Sequence, residues 1–170
     1  MKYLLISREN SKFKDYCYAC KENVVNENLY VNGGTLQVPD AVFYSNILII
    51  ACEEIEESKT IVGFIALHEQ GDSIYVNQIG VKNIFKRQGI GKTLVEKTKL
   101  YANERNVACH VRSFNIASQR LFESCGFIKD VEGSNVNNYF YIYKVKNRME
   151  NKGLDNVDRL QYKMFNRKLQ

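Results

Sequence analysis

The chain has 170 residues, 45% of them apolar and 25% charged, with a net charge of +5. That length suits one domain whose core needs neither disulfides nor a metal, and one proline and ten glycines exclude a linker-rich or low-complexity chain. No apolar run approaches the roughly 18 residues of a membrane span, and the mild positive charge favours an anionic ligand without signalling nucleic acid, because the lysines and arginines are scattered.

"KYLLIS" (2–7) reads as a short strand, and its apolar run is too short for a signal peptide, so a cytoplasmic location is expected. From Ser11, a candidate N-cap, Phe13, Tyr16, Cys17, Cys20 and Val24 follow at helical spacing, which predicts a helix over 11–25. Cys17 and Cys20 form a C-x-x-C pair, but neither a second pair nor a nearby histidine completes a zinc site, so both are expected in the core. An odd, scattered set of five cysteines also suits a reducing compartment. Residues 26–46 are mixed, with turns at Gly33-Gly34 and Pro39-Asp40.

"NILIIACEE" and "TIVGFIALHE" form a hairpin through the acidic turn "IEESK", and His68 near its end is expected to be exposed. "DSIYVNQIGV" (72–81) is a third strand whose alternation slips near Asn77–Gln78, the mark of a bulge. After the glycine stretch, Ile90, Leu94, Val95, Thr98, Tyr101 and Ala102 share one helical face. "VACHV" is a strand, "NIASQRLFESCGF" a capped helix ended by Gly126, and "FIKDVE" and "NNYFYIYKV" two further strands. Residues 158–165 fit a helical period, but the alternation of Leu160, Tyr162 and Met164 favours a strand, which would offer an edge to a homodimer. The order β-α-ββ-β-α-β-α-β-β describes a mixed sheet with helices on its faces.

Three phosphate-binding patterns compete for "FKRQGIGKT" (85–93). A nucleotide P-loop needs a glycine where Lys86 stands, and no strand ends in an aspartate for magnesium. A dinucleotide fingerprint needs its third glycine at Leu94 and an acidic residue about 20 positions on, and both are missing. The third pattern, R/Q-x-x-G-x-G between a strand and a helix, matches in context, with Lys86 in the usual Arg/Gln position.

With "IGVKNIFKRQGIGKTLVEK" followed by "CHVRSFNIASQRLFESCGF", the sequence resembles the GCN5-related N-acetyltransferase (GNAT) superfamily over about residues 45–132. The resemblance implies a single acetyltransferase domain over 1–170. It implies an α/β fold with a mixed, mainly antiparallel sheet, helices on both faces and a splayed central strand pair. It also implies acetyl-CoA as co-substrate and an amine-bearing small molecule or peptide as acceptor, with no metal, nucleic acid or membrane partner. The cofactor would lie against the backbone of Ile79, Gly80 and Val81 and against the loop Lys86, Arg87, Gln88, Gly89, Ile90, Gly91, Lys92 and Thr93. Asn115, Ser118 and Phe122 would face it from the next helix. The physics is independent of the family: exposed amides and the dipole at a helix N-terminus suit a pyrophosphate. Gly89 and Gly91 are expected to let the chain approach it closely.

Acetylating an amine requires its free base. At pH 7 that costs roughly 4–5 kcal/mol for a lysine-type amine but only about 1.4 kcal/mol for a peptide α-amine. His110, where similar N-terminal acetyltransferases carry a glutamate base, would titrate near neutrality; a sheet histidine bonded to its neighbours is the bland alternative. Tyr75 and Asn77 are further polar candidates near the acetyl carbonyl. In the family a tyrosine at the position of Phe122 supplies the acid for the departing thiolate. Here the thiolate leaves almost unassisted or through water, or a tyrosine of the last strand (Tyr139, Tyr141 or Tyr143) reaches in. The other class of reading is a catalytically weak CoA-binding or sensor domain. Cys109 and Cys125 are expected to be core residues, since direct transfer needs no acyl-enzyme.

Overall fold

A computed structural model describes residues 1–31, 34–35, 40–55 and 58–145. The proposed strand at 158–165, and with it the homodimer edge, lies outside the described residues. So do Gly33 and Pro39 of the two expected turns and residues 56–57 of the acidic turn.

Strand β1 (Lys2–Ser7) leads to helix α1 (Phe13–Cys20), which continues as a π-helical turn (Lys21–Val25) and a 3-10 turn (Asn26–Asn28). A two-residue ribbon follows, β2 (Tyr30–Val31) with β3 (Gly34–Thr35), then a 3-10 turn at Ala41–Tyr44. The hairpin β4 (Ile47–Ile55) and β5 (Ser58–Gln70) feeds β6 (Ser73–Val81), helix α2 (Ile90–Ala102), β7 (Asn106–Arg112) and helix α3 (Ile116–Ser124). The described chain closes with β8 (Ile128–Asp130) and β9 (Asn138–Tyr143). Seven strands make one sheet in the order β1-β4-β5-β6-β7-β9-β8. Within it β6–β7 is the one parallel pair, and the other neighbours run antiparallel.

The sheet is covered on both faces, which explains why Ile47 to Ala51 of β4 are buried without interruption. Ile49, Ile65, Ile74 and Val107 pack under Leu94 and Val95 of α2 and Phe122 of α3. Leu48, Ile50 and Phe64 pack under Phe13, Cys17, Cys20 and Val24 on the opposite face. Both members of the C-x-x-C pair are therefore core residues, and burial pushes the Cys17 thiol up to about 11.

The first helix departs from its expected form at both ends. Ser11 is not its cap; Asn10 Oδ1 accepts from the Lys12 amide at 2.9 Å instead. At the other end the wider π turn buries two consecutive valines, Val24 and Val25, which a regular helical stripe does not do.

That turn presses on β6 where the strand has no side chain. A Cβ at Gly80 would lie 2.8 Å from Val24 Cγ1 and 3.3 Å from Phe64 Cε1, so a glycine there sets the approach of helix to sheet. Gly80→Ala should lower unfolding stability by about 1–3 kcal/mol through overpacking. Urea denaturation tests this, and an unchanged midpoint would show that the π turn yields freely.

Candidate active site

Strand β6 carries one residue more than its neighbour. Ala66 pairs with Gln78 and Leu67 with Val76, so Asn77 bulges out of the ladder, where the slip in alternation placed it. The bulge lets Val76 and Ile79, three positions apart, face the same core. Asn77 Nδ2 donates to the buried Ser45 Oγ at 3.0 Å, tying the bulge to the 3-10 turn before β4. On the other side, β6 pairs with β7 only from Ser73–Asn106 to Val76–Cys109. Beyond that point β6 runs on to Val81 and β7 to Arg112 with no ladder between them. The strands splay, and a cleft opens between them.

At the mouth of the cleft the chain turns into α2. Arg87 (φ +66°) and Gly89 (φ +80°) take left-handed conformations and aim the helix start outward. The first returning amide is Thr93 N–H to Gly89 O at 2.9 Å. The amides of Ile90, Gly91 and Lys92 find no backbone acceptor among the described residues, as at any helix N-terminus. Arg87 and Lys92 are exposed and make no ion pair among the described residues. Lys86 is different. Its Nζ donates to Asn28 Oδ1 at 2.6 Å, and Asn28 Nδ2 in turn reaches Val81 O at 3.2 Å. Lys86 thus fastens the loop to the end of β6. Gln88 Nε2 bonds Ile84 O and Thr93 Oγ1 bonds Gly89 O, both within the loop.

The two glycines do different things. A Cβ at Gly89 would meet nothing within 4 Å, so its requirement is conformational. A Cβ at Gly91 would point at Leu121 Cδ2, 3.4 Å away, and at Val81, so Gly91 faces the α3 packing rather than an outside ligand. Of the two, only Gly89 would have open space around a Cβ.

Six of the sequence-predicted residues line the cleft: Asn77, Ile79, His110, Asn115, Ser118 and Phe122. Asn115 caps α3, its Oδ1 accepting from Ser118 N–H at 3.1 Å. Phe122 is 2% exposed and meets Phe127 edge to face at 5.1 Å, so it forms the floor and belongs to the core as well. Arg112, Gln78 and Asn138, which the motifs did not single out, also line the cleft. The signal for Arg112 was its place two residues after His110 on one strand.

Tyr75 lies one bond away from the cleft. Its hydroxyl is 2.8 Å from His110 Nδ1, and the His110 ring sits 4.9 Å from that of Phe140. Burial pushes the Tyr75 phenol above its ordinary value, neighbouring Cys109 adds to the rise, and a hydrogen bond from the His110 backbone opposes it. The phenol is protonated at neutral pH. His68, expected to be exposed, is half-buried directly across β5–β6 from Tyr75, and its Nδ1 has no hydrogen-bond partner among the described residues.

The tyrosines of β9 face the other way, towards α2 and α3. Tyr141 is buried and donates to Glu123 Oε1 at 2.8 Å, and Tyr143 packs on Phe127. Tyr139 stands opposite Val111 with Lys129 Nζ 3.1 Å from its ring centroid, and it does not line the cleft. Cys109 and Cys125 are buried, and burial holds both thiols up, so neither offers a thiolate. Among the described residues no group of three His, Cys, Asp or Glu side chains could hold a metal ion. No described helix is long and apolar enough to cross a membrane.

The profile of the acetyltransferase (GNAT) family matches residues 27–127. No curated protein matches the sequence significantly. Among solved structures, the fold is similar to that of a candidate streptothricin acetyltransferase of Bacillus anthracis in complex with acetyl coenzyme A. That match has 22% identity and a TM-score of 0.50 over 59% of this chain and 63% of the other, so the chain spans less than two thirds of that protein. NAA60 of Arabidopsis thaliana in complex with acetyl-CoA matches at 14% identity over 85% of this chain and 100% of its own, with a TM-score of 0.55. The PaiA N-acetyltransferase of Thermoplasma acidophilum in complex with coenzyme A matches at 12% identity over the same shares, with a TM-score of 0.58. At these identities the likeness establishes the architecture, a mixed and mostly antiparallel sheet between helices.

The glycine assignments are separable by mutation. Gly89→Ala should destabilise the protein by about 1–2 kcal/mol, the cost of a left-handed residue with a side chain. Gly91→Ala, in helical backbone with ordinary contact to Leu121, should be neutral or stabilising by up to about 1 kcal/mol. Equal losses in thermal denaturation would contradict the assignment.

Proposed function

Because the chain belongs to the acetyltransferase (GNAT) family, we propose that it moves an acetyl group from acetyl-CoA to an amine by direct attack within a ternary complex. The observation that carries this reading is the end of the β6–β7 ladder at Val76–Cys109, beside a helix whose first amides point outward. A diphosphate fits those amides with Arg87 and Lys92 close by. The pantetheine arm fits between the splayed strands, against the backbone of Ile79, Gly80 and Val81. Asn115, Ser118 and Phe122 line the far side.

His110 acts as the base in this reading. With Nδ1 donating to the Tyr75 oxygen, Nε2 keeps its lone pair and receives the proton that the amine loses as its nitrogen bonds to the thioester carbon. Tyr75 holds the ring orientation. The C–S bond then breaks, and the thiolate takes a proton. Phe122 cannot give one, and Tyr141 is committed to Glu123. Tyr139 does not line the cleft, so water supplies it, and the demand is small because a thiol of pKa about 8.5 is a competent leaving group.

The missing hydroxyl at Phe122 also favours a second reading, a CoA-binding or sensor domain with little turnover. Calorimetry with acetyl-CoA and thiol release in the presence of amines divide the two. Binding with turnover above buffer hydrolysis supports the enzyme, and binding alone supports the sensor. Absence of binding at millimolar acetyl-CoA removes both. For the enzyme, His110→Ala should lower kcat/KM by about 100-fold, and most strongly below about pH 8, where the amine proton has to be taken by the protein. An unchanged pH–rate profile would clear His110. Tyr75→Phe should give a smaller loss, of about tenfold.

A further inference from the structure

The cleft has two faces, and strand register divides its side chains between them. Val76, Cys109, Val111 and Phe122 belong to the core beneath α2 and α3. Tyr75, His110 and Arg112 alternate with those residues along β6 and β7 and project from the opposite face. Phe140 and Asn138 stand directly across from His110 and Arg112 on β9. The inference below rests on the acetyltransferase reading: with the cofactor held from the α2–α3 side, an amine that attacks directly arrives on the His110 side.

The ionisable groups it meets there are mostly basic. Arg112 is half-buried and lines the cleft, and its guanidinium forms no ion pair among the described residues. Its backbone carbonyl is the part in use, accepting from Asn115 N–H and Gln119 Nε2. No described residue lining the cleft is a carboxylate. The carboxylates at its margins are engaged: Asp40 pairs with Lys21 at 2.7 Å. Asp130, across from Phe140, accepts from the amides of Glu132 and Gly133.

We infer that the acceptor is an amine that carries a carboxylate, with the amine at His110 and the carboxylate on Arg112. Two residues along a strand separate their side chains by about 6–7 Å, a span that a short amino-acid skeleton bridges. A guanidinium can take both carboxylate oxygens at once. A polyamine or aminoglycoside would instead bring a second cation against Arg112, with no carboxylate lining the cleft to receive it.

The test compares matched acceptors by thiol release from acetyl-CoA: phenylalanine, phenethylamine, an aspartate-initiated peptide amide, an alanine-initiated peptide amide, and spermidine. The carboxylate-bearing member of each pair should have a kcat/KM about 10- to 100-fold higher. The two pairs separate a free amino acid from an acidic peptide terminus. Arg112→Gln, checked for a cooperative thermal transition, should shrink that preference to about twofold or less, and Arg112→Lys should keep part of it. Equal or better turnover of phenethylamine or spermidine by the unmodified protein overturns the inference and leaves acetyl transfer standing. Weakened acetyl-CoA binding in Arg112→Gln, with the acceptor preference intact, assigns the cation to the cofactor and overturns it too. No thiol release with any amine, despite acetyl-CoA binding, removes this inference and the enzyme reading together.

Discussion

One surplus residue governs the arrangement of this site. Asn77 has no partner on β5, and from there the β6–β7 ladder, intact at Val76–Cys109, does not resume. A parallel pair that stops in mid-sheet leaves a gap where a third element can enter. The β6 side of the gap is tied back from the cleft. Asn77 is tied to Ser45, Lys82 N–H bonds Val62 O, and Asn28 holds the end of β6 through Val81 O. None of these bonds crosses the cleft.

The same strand fixes the direction of α2. Val81 ends β6, a short 3-10 turn follows, and two left-handed residues swing the chain so that the helix starts beside the gap. The electrostatics then follow from position. Three outward amides and two exposed cations lie together, whereas Lys86, the third cation of the stretch, is used to moor the loop. Counting charges in "FKRQGIGKT" cannot separate a mooring lysine from a mobile one, because the difference lies in Asn28, 58 positions earlier in the chain.

That case marks the boundary of what the sequence made legible. The sheet, its strand order by type, the bulge and the two long helices were readable because each rests on local period or local turn chemistry. The π turn was not. Val24 continues the helical stripe, whereas Val25 lies off it and is buried only because the turn packs both valines into the cluster around Phe64. The packing of Gly91 against Leu121 of α3 was not readable either, because no spacing rule encodes that contact. His68 is half-buried by the strand beside it, although its position near a hairpin end reads as exposed. In the candidate site, His110 and Tyr75 were named separately, and only the 2.8 Å contact between them makes one unit of two side chains on different strands.

The division of the sheet into two faces bears on why a phenylalanine is tolerable at 122. On the α2–α3 face, Phe122 contacts Phe127 and closes the floor of the cleft, and a hydroxyl in that packed position would need a partner. The nearby phenol on that face, Tyr141, already has one in Glu123. Apolar burial of the floor therefore stabilises the joint between α3 and the sheet at the expense of a proton donor. The chemical loss is limited, because a thiolate is a far better leaving group than an amide or alkoxide. In the proposed reaction the harder proton is the one on the amine, and the polar pair proposed to receive it, Tyr75 with His110, projects from the opposite face. If the proposed amine transfer holds, an arrangement with a polar pair on one face and an apolar floor on the other suits a reaction whose barrier lies in amine deprotonation and attack rather than in expulsion of the thiol.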